Sequence, residues 1–211
     1  MVTFVPQGMT GDQRAADSIT AMVPWYLERV RLAVPAGPIV VGGHSLGGVL
    51  ALEVARALGA EGYVVEAVVL LDTQRHTNRG RRLGATRVRA RYRAWRIRRR
   101  LGLRSRSDRR RDTARATPLR DLLDDQRMAA NLASWNYRGR PYSGRVIYIE
   151  ATDSGPSERQ KPGPGAWALL VPAMEVRRVP GCHTGRGSFL SEPFVAATAA
   201  AVNDALDSPA G

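Results

Sequence analysis

A serine set between glycines, Gly43-His44-Ser45-Leu46-Gly47, is the first place in this 211-residue sequence where chemistry is legible. An alcohol is a weak nucleophile until a neighbouring base takes its proton. The pattern Gly-x-Ser-x-Gly gives it a setting when a strand turns into a helix within one residue. The turn strains the serine backbone, lifts the hydroxyl above the sheet and needs small residues two before and two after the serine. The Leu46 amide then lies at a helix N-terminus and is placed to donate to a developing oxyanion. The structural alternative is a glycine-rich turn in which Ser45 only caps the helix. The apolar strand before the motif and the helix after it favour the catalytic reading.

Such a serine needs a base, and there are three histidines. His44 sits inside the turn, so its side chain is expected to project away from the hydroxyl. His76 lies at the root of an arginine-rich segment. His183 falls in Val179-Pro180-Gly181-Cys182-His183-Thr184-Gly185, between the last predicted strand and the last predicted helix. It is the expected base, with an ordinary surface-loop histidine as the alternative. In this chain order the acid comes between serine and histidine. Asp72 and Asp153 each end a predicted strand, where catalytic groups of parallel sheets gather. Either would hold the imidazole tautomer and stabilise its cation. Position alone leaves both open, the other being a cap or turn residue. Cys182, beside His183, is expected as a small, partly buried filler and not as a second nucleophile. As the single cysteine, it excludes an intramolecular disulfide and a zinc site built on several thiolates. No metal site and no cofactor of the protein's own are expected.

The elements that must position these groups can be read from apolar patterning. Asp17 to Val34 has apolar residues at helical spacing, interrupted by Pro24, which predicts a kink or a late start. Pro38 to Gly43 is a short, β-branched buried strand, and Val49 to Leu58 a helix ended by Gly59 or Gly62. Val64 to Asp72 is a second buried strand, and this strand–helix–strand unit points to a parallel sheet. Arg145 to Ala151 is a third strand, Ser154 to Gly165 a loop rich in Gly, Pro and Ser, and Met174 to Val179 an edge-side strand. Ser191 to Leu206 closes the chain as an alanine-rich helix, with Glu192 and Pro193 in its first turn.

Charge divides the chain. Between Arg75 and Arg120 there are 19 arginines against two acids, Asp108 and Asp112; that is +17, and the remainder carries −4, which together make the net +13. A faintly acidic body therefore carries one strongly basic insert. Val88, Tyr92 and Trp95 fall at helical spacing within it, so one narrow apolar stripe is expected. A surface that docks an acidic partner is one reading, and a solvated, partly disordered segment the other. Nucleic acid is not the expected partner, because no nucleic-acid-binding motif accompanies the arginines. Hydrophobic residues at 44% and charged residues at 24% fit a globular domain. No apolar run approaches the roughly 18 residues that span a bilayer, and the N-terminus lacks the pattern of a secretory signal. A cytoplasmic protein is the expectation.

Four segments together resemble the thioesterase domains of nonribosomal peptide and polyketide synthases, within the α/β-hydrolase superfamily. They are Gly42 to Gly48, Val68-Val69-Leu70-Leu71-Asp72-Thr73, Pro141 to Val146, and Val179-Pro180-Gly181-Cys182-His183. In that family Gly-Gly often follows the serine motif, the acid closes a Leu-Leu-Asp strand, and the base lies in a Gly-x-His loop. The resemblance implies Ser45 as nucleophile, Asp72 rather than Asp153 as acid, His183 as base and the Leu46 N–H as oxyanion donor. It implies an α/β fold with a mostly parallel sheet, a single domain over 1–211 and a helical, arginine-rich lid at about 74–137. The activity implied is release of an acyl or peptidyl chain from a carrier-protein thioester, presented on the carrier's phosphopantetheine arm. Because carrier proteins are typically acidic, the insert is the expected dock. A catalytically impaired relic that binds acidic carriers, and a small-molecule esterase, are the alternatives. Phe4 to Gly11 resembles a segment that lies well inside the family's domain. The sequence is therefore expected to be truncated at its N-terminus, lacking earlier strands and the loop that gives the second oxyanion amide, a donor worth about 10²–10³ in rate.

Overall fold

The computed structural model describes residues 1–10, 14–76, 78–101, 118–153 and 163–208. Gly11 and most of the predicted Gly/Pro/Ser loop lie outside these residues, as does the stretch 102–117 of the basic insert. In chain order the elements are α1 (Ile19–Ala33), β1 (Ile39–His44), α2 (Leu46–Ala60), β2 (Val65–Leu71) and α3 (Asn78–Arg100). They continue with α4 (Pro118–Asn136), β3 (Val146–Ala151), a 3-10 turn (Pro164–Trp167), β4 (Glu175–Val179) and α5 (Val195–Asp207). No helix among the described residues is long and apolar enough to cross a membrane.

The chain forms two compact units. One comprises Tyr26–Thr77 and Arg138–Gly211 and holds the sheet. Its order is β1-β2-β3-β4, and every neighbouring pair is parallel. The register sets Gly43 beside Leu70, Leu71 beside Ile149, and Ala151 beside Val179. Because all four strands run the same way, their carboxyl ends share one rim. The strands read as apolar runs because both faces are covered. On one face Ala67, Val69, Ile147, Ile149, Ala151 and Val179 form a core with Phe189 and with Ala201, Val202, Ala205 and Leu206 of α5. Against β1 and β2 lies α2, which buries Val49, Leu50, Leu52, Val54, Ala55 and Leu58. Burial of one such Leu or Val side chain is worth about 1.5–3 kcal/mol. Arg145 lays its guanidinium across the last turn of α5, donating to the carbonyls of Ala205, Leu206 and Ser208. A cation there satisfies carbonyls that have no intrahelical donor and complements the helix dipole.

Several boundaries differ from expectation. Pro24 does not delay α1, which starts at Ile19 with the Ser18 hydroxyl accepting from the Ala21 amide at 3.3 Å. Gly59 lies inside α2, and the turn out of the helix is made at Gly62, whose φ is 89°. At the end of the chain, residues 191–194 form turns and α5 begins only at Val195. The amides of Phe194 and Val195 both return to the Ser191 carbonyl, so Glu192 and Pro193 precede the helix.

The other unit comprises Met1–Trp25 and Asn78–Tyr137, and so takes in most of the segment 74–137. Here α3 packs against α4. Contact is close at Gly84, where an added side chain would meet the Trp135 ring at 2.1 Å. On α3, Ala85 is buried and Val88, Tyr92 and Trp95 are half-buried, with the Tyr92 and Trp95 rings stacked 5.9 Å apart. Arg87, Arg91, Arg93 and Arg98 are exposed. The narrow apolar stripe expected from spacing is thus present, with exposed arginines to either side of it.

Candidate active site

Ser45 occupies the single residue between β1 and α2. Its backbone is left-handed, with φ 55° and ψ −120°, and its N–H donates to the Leu71 carbonyl of β2 at 3.0 Å. A non-glycine residue in such a conformation costs about 1–3 kcal/mol and persists only where its surroundings over-determine it. The glycines show how. A side chain at Gly43 would stand 2.2 Å from the Gly47 carbonyl group, so strand and helix pass at backbone distance. At Gly47 an added side chain would meet nothing within 4 Å, whereas at Gly48 it would lie 1.9 Å from the Thr73 hydroxyl. The expectation that small residues are needed two before and two after the serine therefore holds at Gly43. On the helix side the steric demand falls on Gly48, because Gly43 passes the backbone of Gly47 and not its open side. Leu46 is the first residue of α2, and its N–H is one of the early amides that lack an intrahelical acceptor.

Asp72 follows β2 and is also left-handed, with φ 42°. Its N–H donates to the Ile149 carbonyl of β3 at 2.7 Å. His183 lies in the loop after β4 and is 8% exposed. Its Nδ1 lies 2.6 Å from Asp72 Oδ2, and its Nε2 lies 3.1 Å from Ser45 Oγ. A hydroxyl, an imidazole and a carboxylate from three separate strand ends thus form one hydrogen-bonded line. With the Nδ1 proton donated to Asp72, Nε2 is left as the acceptor for the Ser45 hydroxyl. Chemically, this line can move a proton off Ser45 while a fixed carboxylate stabilises the cation it creates.

Asp153, the other candidate acid, does not reach the imidazole line through its carboxylate. Its Oδ2 accepts from the Gly181 N–H at 2.9 Å, and its own N–H donates to the Gly181 carbonyl at 3.0 Å. Gly181 has φ 104°, and an added side chain there would approach the Phe189 backbone to 2.8 Å. The loop carrying His183 is therefore pinned just upstream of the histidine. Cys182 is half-buried and its thiol donates to the Thr184 carbonyl at 3.1 Å. Burial pushes the His76 imidazole below its ordinary value.

His44 has a contact that spacing did not reveal. Its ring packs on the His183 ring, with centroids 4.6 Å apart and planes at 42°, and edge-on to Phe189 at 5.6 Å. Burial first, then repulsion from His183, pushes the His44 imidazole down, so its neutral form is favoured beside the other ring. The only advance signal was adjacency to Ser45, and adjacency does not say which way a ring turns.

Residues 2–183 match the family described as "Thioesterase domain". Polyketide synthase PksR of Bacillus subtilis (strain 168) is 39% identical over 67 residues, which are 32% of this chain and 3% of that protein. Thioesterase AMT4 of Alternaria alternata is 36% identical over 73 residues, 33% of this chain and 28% of that protein. The chain thus spans less than a third of either relative. Among solved structures, the NocB thioesterase domain in covalent complex with a fluorophosphonate nocardicin G analog is 27% identical. That match covers 98% of this chain and 82% of that one, with a TM-score of 0.64. The Vlm2 thioesterase domain bound with a dodecadepsipeptide, 19% identical over 97% of this chain and 81% of that one, shares the fold with a TM-score of 0.62.

Proposed function

The chain belongs to the thioesterase-domain family, and on that premise we propose that it is a serine hydrolase releasing an acyl or peptidyl chain from a carrier-protein thioester. The observation that carries this reading is the line Ser45 Oγ, His183 Nε2, His183 Nδ1, Asp72 Oδ2, with separations of 3.1 and 2.6 Å. His183 takes the Ser45 proton as the oxygen attacks the thioester carbonyl. Asp72 holds the ring and stabilises the imidazolium. The Leu46 N–H, at the start of α2, donates to the oxyanion. Collapse of the tetrahedral species expels the thiolate of the phosphopantetheine arm, which leaves with the proton from His183. Water then enters, gives a proton to His183 and attacks the acyl-serine carbonyl. The acid departs as Ser45 regains its proton. The phosphopantetheine belongs to the substrate, and no cofactor of the enzyme's own takes part.

An alkyl fluorophosphonate tests this directly, because it phosphonylates only an activated serine. The parent protein is expected to be labelled at Ser45, and Ser45→Ala to escape labelling and to lose about 10⁴-fold or more in thioester hydrolysis. An unlabelled parent, or a Ser45→Ala protein that hydrolyses at the parent rate, sinks the proposal.

The carrier is the proposed partner, met through the arginines of α3. Arg87, Arg91 and Arg98 lie on one face of that helix and are exposed, so they offer an acidic protein a row of positive charge. Raising salt from about 50 to 500 mM is then expected to lower kcat/KM for a carrier-borne substrate about tenfold, and to leave a small soluble thioester unaffected. Replacing the three arginines by Gln should flatten that salt dependence. Equal salt dependence for both substrates would remove the docking role.

A further inference from the structure

The left-handed turn at Asp72 is held from beyond its own segment. One carbonyl along, the oxygen of Thr73 receives two buried donors: the Tyr148 hydroxyl of β3 at 3.1 Å and the Trp167 indole N–H at 2.8 Å. Tyr148, Trp167 and Thr73 are all fully buried. A carbonyl oxygen has two lone pairs, and both are engaged here. The Thr73 side chain is fixed as well. Its hydroxyl lies 3.5 Å from the Gly43 carbonyl and 3.4 Å from that of Leu71, and its atoms fill the space a side chain at Gly48 would need. Thr73 therefore touches the strand before Ser45, the helix after it and the peptide joined to Asp72.

We propose that Tyr148 and Trp167 are positioning residues for the triad acid. Gripping the Thr73 carbonyl from two sides, they fix the Thr73–Gln74 peptide, one link beyond Asp72, and so aim the Asp72 carboxylate at His183 Nδ1. The inference rests on the catalytic reading of Ser45, Asp72 and His183. Burial, and after it the nearby carboxylates of Asp72 and Glu150, push the Tyr148 phenol up, so it stays protonated and a donor. Trp167 is the last residue of the 3-10 turn, 94 residues from Thr73. Filling the core needs its ring, but aiming the Asp72 turn needs its N–H.

Trp167→Phe and Tyr148→Phe, made in the whole chain, remove one donor each and keep most of the ring volume. Val146→Ala serves as control, since Val146 is equally buried at the first position of β3, the end away from the rim that carries the site. Two readouts separate aim from stability. One is the rate of inactivation by the fluorophosphonate against pH, per folded molecule. The other is the downfield proton resonance of the Asp72–His183 hydrogen bond. Trp167→Phe is expected to slow inactivation about 10- to 100-fold and to weaken or shift the resonance well below the unfolding temperature. The acid limb of the rate profile should move to lower pH. A misaimed carboxylate supports the imidazolium less, while the His44 ring still faces His183 from β1. Tyr148→Phe should do the same to a smaller extent, and it decides the matter if Trp167→Phe does not fold. Val146→Ala should lower the melting temperature and leave both readouts at parent values. Parent-like rate, acid limb and resonance in both donor variants, or the same shifts in Val146→Ala, would overturn the proposal. If the parent resists labelling, the catalytic reading falls, while the resonance in the variants still decides whether Tyr148 and Trp167 aim Asp72.

Discussion

The carboxyl ends of β2 and β3 lie side by side and each is followed by an aspartate, yet the two carboxylates do different things. Asp72 meets the imidazole of His183 at 2.6 Å. Asp153 meets the backbone of Gly181, two residues before that imidazole, at 2.9 Å. One carboxylate holds the ring, and the other holds the loop that brings the ring. The difference is made by backbone geometry. Asp72 leaves its strand in a left-handed turn that throws its side chain along the rim. The backbone N–H of Asp153 continues toward the loop after β4 in ladder fashion, donating to the Gly181 carbonyl. Place on a sheet rim brings a residue near the chemistry, and the local turn decides its part in it.

The sharpest way to break this comparison is to exchange the losses. Asp72→Asn is expected to lower kcat about 10⁴-fold with little change in stability, because an amide favours the wrong imidazole tautomer. Asp153→Ala should lower it only about 10-fold, through a less well placed loop. It should also cost about 1 kcal/mol in a urea melt for the lost hydrogen bond. Steady-state hydrolysis of a soluble thioester measures both. If Asp153→Ala falls as far as Asp72→Asn, the division of labour is wrong.

What the sequence made legible follows from distance along the chain. The turn at Ser45 and its flanking strand and helix are local, so apolar runs and glycines announced them, and the all-parallel sheet followed from the strand–helix–strand unit. Asp72 and Asp153 were indistinguishable by position, because both end apolar strands. Family resemblance preferred Asp72, whose carboxylate is the one the structure brings to His183. The Thr73 carbonyl with Tyr148 and Trp167, and the face of His44 on His183, join residues 75 to 139 positions apart. No periodicity encodes such pairs. The real reason for Gly48 was equally hidden, since it lies in the Thr73 side chain.

The smallest expected effect asks whether imidazoles near this rim also load stability. Burial sets both His44 and His76 below the ordinary value of 6.5. The unfolded chain then binds protons that the folded one refuses. Stability is complete above about pH 6.5 and falls as pH drops below it. Solvent still screens part of each ring, which makes this the smallest of the expected effects. Melting temperature followed from pH 8 to pH 5 should decline, and His44→Phe should flatten part of the decline. A flat profile in the parent would mean that neither ring resists protonation.

The hydroxyl and the imidazole are 138 residues apart, and the carboxylate and the imidazole 111. Each is delivered by a different strand end, the imidazole by the loop after β4, which among the described residues pairs only with β3. A chain emerging from the ribosome therefore presents its serine long before anything is there to deprotonate it. On the proposed reading, the alcohol becomes reactive only after β4 has docked, so a half-made molecule would be chemically silent.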